Sequence, residues 1–143
     1  MRYRKELHEW TGIQPWIWPR VARELPARKK TPFLKARRKG GRPRNDDRLA
    51  LGAIFWRLRS GGTWSRLPAR FGSAATARRR LARWLRGDLL ERAWRTYLYQ
   101  LSRVELGVWR EAFAAAEFRP KPYWRFGLDL IWRREFGPLL PSE

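Results

Sequence analysis

Five arginines, Arg78, Arg79, Arg80, Arg83 and Arg86, fall within nine residues of chain that contain no acid. A guanidinium is always charged and presents a planar fork of N–H donors, so this grouping suits phosphate oxygens and guanine edges rather than proton transfer or nucleophilic attack. A second basic group precedes it. Residues 28–48 hold ten Lys and Arg, among them Arg38, Lys39, Arg42 and Arg44, against Asp46 and Asp47 alone, so ten minus two leaves +8. Residues suited to covalent or metal chemistry are scarce. Zero Cys excludes disulfides, thiolate nucleophiles and Cys-type zinc sites, and His8, the one His, leaves almost nothing for a His-centred metal site or triad. The close carboxylate pairs, Asp46 with Asp47 and Asp88 with Glu91, each fall at an expected helix start, where capping explains them better than metal binding. The expectation is a protein with no catalytic residue, no metal and no cofactor.

The whole chain carries the same sign of charge. Its 143 residues hold 33 Lys and Arg against 13 Asp and Glu, a formal net charge of +20. With 43% hydrophobic residues and ten Trp it has the apolar surface for a core, so the charge belongs to a folded protein of one domain, or one domain with an appendage. No apolar run approaches the roughly 18 residues of a membrane span, and the first residues lack the apolar stretch of a secretory signal. Cytoplasmic location, in association with the nucleoid, is therefore expected. A net charge of this size favours a polyphosphate partner through counter-ion release, and double-stranded DNA is the expected one, with no membrane partner.

The periodicity of the chain predicts an all-α fold. Between residues 2 and 27, Trp10, Trp16 and Trp18 lie among Pro15, Pro19 and Pro26, which suggests short helical pieces that fold over something else. Asn45-Asp46-Asp47 is the clearest helix start, and Leu51, Ile54, Phe55 and Leu58 follow at the spacing of one buried face. Ser60-Gly61-Gly62 ends that helix. A shorter one is expected from Thr63, burying Trp64 and Leu67 and ending in a turn from Pro68 to Gly72. Ser73 caps the next, expected over 74–86. It would bury Ala77, Leu81, Trp84 and Leu85, with Ala75, Arg79, Ala82, Arg83 and Arg86 outward and Thr76, Arg78 and Arg80 on the flanks. Helices over about 88–102 and 104–118, and a short one around 126–136, complete the reading.

A helix, a turn and an outward Arg-rich helix with small residues at its start, Ser73, Ala74, Ala75 and Thr76, is the arrangement of a helix-turn-helix whose recognition helix enters a major groove. The motifs also have a relative. Gly41-Arg42-Pro43-Arg44, then Asp46-Asp47-Arg48, a helix ending in Arg59-Ser60-Gly61, the Trp64 to Gly72 turn and the Arg-rich helix ending near Trp84 resemble, in order, the N-terminal DNA-binding domain of bacterial insertion-sequence transposases of the IS4/IS5-like superfamily. The resemblance covers roughly residues 14 to 101. In that family the domain precedes a ribonuclease H-like domain with a D-D-E metal triad, which the residues after Leu101 are too few to hold. The resemblance thus implies DNA binding without strand transfer.

The expected organisation is an N-terminal helical segment and basic arm over 1–44, a helix-turn-helix domain over 45–103 and an aromatic-rich helical extension over 104–143. Arg79 and Arg83 are expected at base edges or phosphates. Arg78 and Arg80 would hold the backbone, with Ser73, Thr76 and Arg86 on the same interface. Arg42 and Arg44, in a Gly-Arg-Pro context close to that of AT-hooks, suit a narrow minor groove, while Arg38 and Lys39 add sequence-independent phosphate affinity. The Trp residues within helices, Trp56, Trp64, Trp84, Trp94 and Trp109, are expected to be buried, and Trp124 and Trp132 are candidates for a dimer or partner surface. The function so expected is a sequence-specific, transposase-derived transcription regulator, acting as a homodimer and with residues 104–143 open to a protein partner. The competing readings are a non-specific nucleoid protein, an RNA-binding protein and the DNA-binding subunit of a split transposase.

Overall fold

A computed structural model of the chain describes residues 10–26, 45–117 and 128–136. Among these residues there are six α-helices and no strand, as the periodicity predicts: α1 Trp18–Ala22, α2 Asn45–Ser60, α3 Ala74–Trp84, α4 Leu89–Leu98, α5 Arg103–Glu117 and α6 Leu128–Phe136. No helix among them is long and apolar enough to cross a membrane.

The central element is α2. One buried face was expected, but Ala50, Leu51, Ala53, Ile54, Phe55, Trp56, Leu58 and Arg59 are all buried, nearly the full circumference. The small residues make this possible. Phe71 lies so close to Gly52 that a Cβ there would come within 3.1 Å of its ring, so neighbours pack on the back of α2 as tightly as on the front. Helix α3, the turn holding Phe71 and α5 surround it. The helix ends where the sequence indicates. Gly61 takes a φ of +72° and donates its N–H to Arg57 O at 2.8 Å, and Gly62 lies where a Cβ would meet the Trp56 ring at 2.5 Å.

Between α2 and α3 the expected short helix is replaced by two single 3₁₀ turns, Trp64–Arg66 and Ala69–Phe71. Pro68 is the reason. It forces Leu67 into an extended conformation, φ −57° and ψ 125°, so no second helical turn can follow Trp64. Trp64 and Leu67 are half-buried rather than buried, and the Arg57 guanidinium lies 4.7 Å above the Trp64 ring.

The remaining helices close an aromatic core. Leu90, Ala93, Trp94, Tyr97 and Leu101 are buried, as expected from their spacing. Trp94 meets Phe55 and Trp109 edge-on at 4.9 and 5.0 Å, Phe113 meets Trp132 at 5.4 Å, and Trp132 meets Phe136 at 4.8 Å. The indole N–H of Trp94 donates to Leu128 O at 3.0 Å and that of Trp109 to the Tyr97 hydroxyl at 3.3 Å. Burial pushes the pKa of that hydroxyl well above its ordinary value. Trp132, a candidate for a partner surface in the sequence, is instead fully buried, because α6 packs on α4 and completes the core from which Trp109 and Phe113 also come. Trp124 lies outside the described residues.

The N-terminal segment folds over the bundle, as its prolines and tryptophans suggest. Ile13, Ile17, Val21 and Leu25 are buried, with α1 against α4. Arginines hold the segment in place. Arg48 donates from Nε and Nη2 to Ile13 O at 3.1 and 2.7 Å, and Arg70 likewise to Trp10 O at 3.1 and 2.6 Å. Arg59, 8% exposed, lies over the Trp109 and Trp10 rings at 5.0 and 5.6 Å, and Gln14 donates to Glu105.

Candidate nucleic-acid interface

Helix α3 begins at a conventional cap. Ser73 is extended, φ −87° and ψ 143°, and its Oγ accepts the Thr76 N–H at 3.1 Å while donating to Thr76 Oγ1 at 2.9 Å. The capping expected of Asp88 with Glu91 takes another form. Asp88 makes no side-chain cap and instead pairs with Arg92 at 3.0 Å, and Glu91 pairs with Arg95 and Arg134, each at 3.5 Å. Among the described residues no group of three His, Cys, Asp or Glu could hold a metal ion.

The inward face of α3 consists of Ala77, Arg80, Leu81 and Trp84. This corrects the sequence reading at two positions. Arg80, expected on a flank and on a phosphate, is 7% exposed and donates from Nε to Asp47 Oδ1 of α2 at 2.8 Å. Leu85, expected inward, is the C-cap and 42% exposed. Residues 77, 80, 81 and 84 follow i, i+3, i+4, i+7, the spacing of a buried stripe, whereas Leu85 lies one residue beyond its edge. Asp47 makes the arginine tolerable there, since a guanidinium leaves water only when its charge is met.

With Arg80 turned inward, four of the five arginines, Arg78, Arg79, Arg83 and Arg86, are exposed, and none has an acidic partner among the described residues. Ala75, Arg79 and Ala82 recur at i, i+4 and i+7, so they run in one strip along the middle of the outer face, and Arg86 follows two residues past the end of the helix. Two alanines thus bracket Arg79, and the helix backbone can come close to whatever Arg79 touches. The Arg79 guanidinium is held in place, its Nη2 donating to Thr76 Oγ1 at 3.3 Å. Arg66, in the first 3₁₀ turn, is also exposed. The sequence reading, a short helix that buries Trp64 and Leu67, does not single it out. Arg38, Lys39, Arg42 and Arg44 lie outside the described residues.

Comparison with known proteins covers these elements. A family model described as "Putative transposase of IS4/5 family" matches residues 8–94, from the N-terminal segment through the first half of α4. The uncharacterised protein y4sN of Sinorhizobium fredii (strain NBRC 101917 / NGR234) is 42% identical over 60 residues, which are 41% of this chain and 48% of that relative. The match thus spans about half the length of the relative. No solved structure matches. With more than half of its residues in the family match, including α2, α3 and the turns between them, the chain belongs to the IS4/5 transposase family.

Proposed function

We propose that this chain binds double-stranded DNA through the outer face of α3, as a sequence-specific, transposase-derived transcription regulator. One observation carries the reading: three guanidiniums, Arg78, Arg79 and Arg83, without acidic partners among the described residues, share a capped helix whose exposed strip sets arginine between alanines, and Arg86 follows just past its end. That surface offers charge for phosphates and a slim backbone for a major groove, the combination a recognition helix needs. In this reading α2, the 3₁₀ turns and α3 form the helix-turn-helix. Arg79 reaches into the groove, Arg78, Arg83 and Arg86 face the phosphates, and Arg80 touches no DNA. The arm carrying Arg42 and Arg44 enters the adjacent minor groove, with Arg38 and Lys39 on the backbone. A homodimer places two copies of α3 on paired half-sites.

Membership of a transposase family favours a second reading, in which the same surface binds the ends of a mobile element. Genome-wide occupancy of the tagged chain on the host nucleoid, with Arg79→Ala/Arg83→Ala as control, separates the two. Sharp peaks upstream of genes, lost in the double variant, are expected of the regulator. Peaks confined to the inverted ends of an element support the second reading, and broad occupancy without peaks overturns sequence specificity.

A further inference from the structure

Among the outward arginines of α3, Arg79 is distinguished by its surroundings. It stands in the middle of the exposed strip, with Ala75 one turn before it and Ala82 one turn after, so no long side chain along that strip keeps the helix away from a groove floor. Among the described residues it alone of Arg78, Arg79, Arg83 and Arg86 is hydrogen-bonded, to a hydroxyl that is itself fixed. Thr76 Oγ1 receives Ser73 Oγ at 2.9 Å, and Ser73 is bound in turn to the Thr76 N–H at 3.1 Å, so the acceptor of Arg79 belongs to the helix cap. A free arginine loses much rotamer entropy when it is fixed against a base. Arg79 is already partly ordered, and the bond to Thr76 uses one of its five N–H groups, which leaves four for a ligand. Two of those four, side by side, match the O6 and N7 acceptors of guanine in the major groove. Arg83 and Arg78, with no such restraint and on either side of the strip, suit phosphates, whose recognition tolerates a mobile charge.

We propose that Arg79 is the specificity-determining residue of this surface, reading the O6 and N7 of one guanine, and that Thr76 is a positioning residue that presets its guanidinium. The inference rests on the DNA-binding reading above and adds to it the base pair recognised and the means of recognition.

The test is selection of bound sequences from random duplexes, followed by binding measurements in which the enriched guanine is replaced by 7-deazaguanine. The full-length chain is used throughout, with Arg79→Ala, Arg79→Lys, Thr76→Val and Thr76→Ser compared, and helicity is checked for each. The unaltered chain should enrich a G·C pair and bind its 7-deaza counterpart more weakly, on the order of tenfold. That ratio should fall to about one in Arg79→Ala and be smaller than in the unaltered chain in Arg79→Lys, whose ammonium reaches the same acceptors without the planar fork. It should shrink in Thr76→Val and return in Thr76→Ser, which keeps the hydroxyl. A purely structural role for Thr76 would lower affinity for both duplexes alike and leave the ratio unchanged, which would overturn the positioning claim. If the unaltered chain binds duplex DNA but enriches no guanine, or the same guanine stays enriched in Arg79→Ala, the inference is wrong and DNA binding stands. If no duplex is bound, both are wrong.

Discussion

Two regions of the molecule are rich in arginine and put it to opposite uses. Along the seam between residues 10–26 and the bundle, guanidiniums are matched to backbone carbonyls and aromatic faces: Arg48 to Ile13 O, Arg70 to Trp10 O, and Arg59 over Trp10 and Trp109. The inward face of α3 behaves in the same way, with Arg80 on Asp47. Among the described residues, the outward Arg78, Arg83 and Arg86 meet no such group and Arg79 meets only a hydroxyl. A net charge of +20 is therefore not a uniform coat. Among the described residues, part of it holds the fold together and part faces solvent on α3. The two uses can be told apart by what each variant changes, stability or binding.

The largest effect should come from the seam side. Trp109→Ala removes a ring that contacts Trp94, Tyr97, Phe113 and Trp10 and lies beneath Arg59, leaving a cavity where core and seam meet. A loss of about 4 kcal/mol of unfolding free energy is expected in urea titrations. Arg80→Ala should follow at about 3 kcal/mol, because it leaves the Asp47 carboxylate largely buried without its partner. The double variant Arg80→Met/Asp47→Leu removes both charges and should recover most of that loss. If Arg80→Ala instead left stability intact and weakened DNA binding alone, the division between the two regions would be drawn in the wrong place.

Arg80 also marks how far the sequence could be read. Helix types and most boundaries were legible because periodic apolar residues and their stops, Gly61-Gly62, Pro68 and Ser73, act locally. The buried face of α3 was misread by one position. Hydropathy ranks Leu85 above Arg80 for burial, whereas the 77, 80, 81, 84 spacing and an acid at Asp47 to receive the guanidinium favour Arg80. Those signals were present, but Asp47 lies 33 residues away in sequence and only the packing of α2 on α3 brings it near. The near-complete burial of α2 was hidden for a similar reason. Ala50, Gly52 and Ala53 look neutral in a hydropathy pattern, and the meaning of Gly52 depends on Phe71 arriving from the next turn. The outward positions of Arg79, Arg83 and Arg86 were legible because nothing distant competes for them.

The smaller effects sharpen the comparison within α3. Ser73→Ala removes the side-chain acceptor for the Thr76 N–H and should cost about 1 kcal/mol, detectable as a lower midpoint of denaturation at an unchanged slope. Arg83→Ala should shift stability by less than about 0.5 kcal/mol, since the side chain is exposed and has no ion-pair partner among the described residues. Its effect belongs to binding. Each guanidinium that neutralises a phosphate releases one condensed counter-ion, so the slope of log affinity against log salt should become shallower by about one unit, with random and selected duplexes weakened alike. A change confined to the selected duplex would instead make Arg83 a base contact, since only such contacts can distinguish one sequence from another. A salt slope unchanged in Arg83→Ala would remove it from the interface altogether, and would narrow the outward region to the strip on which Arg79 stands.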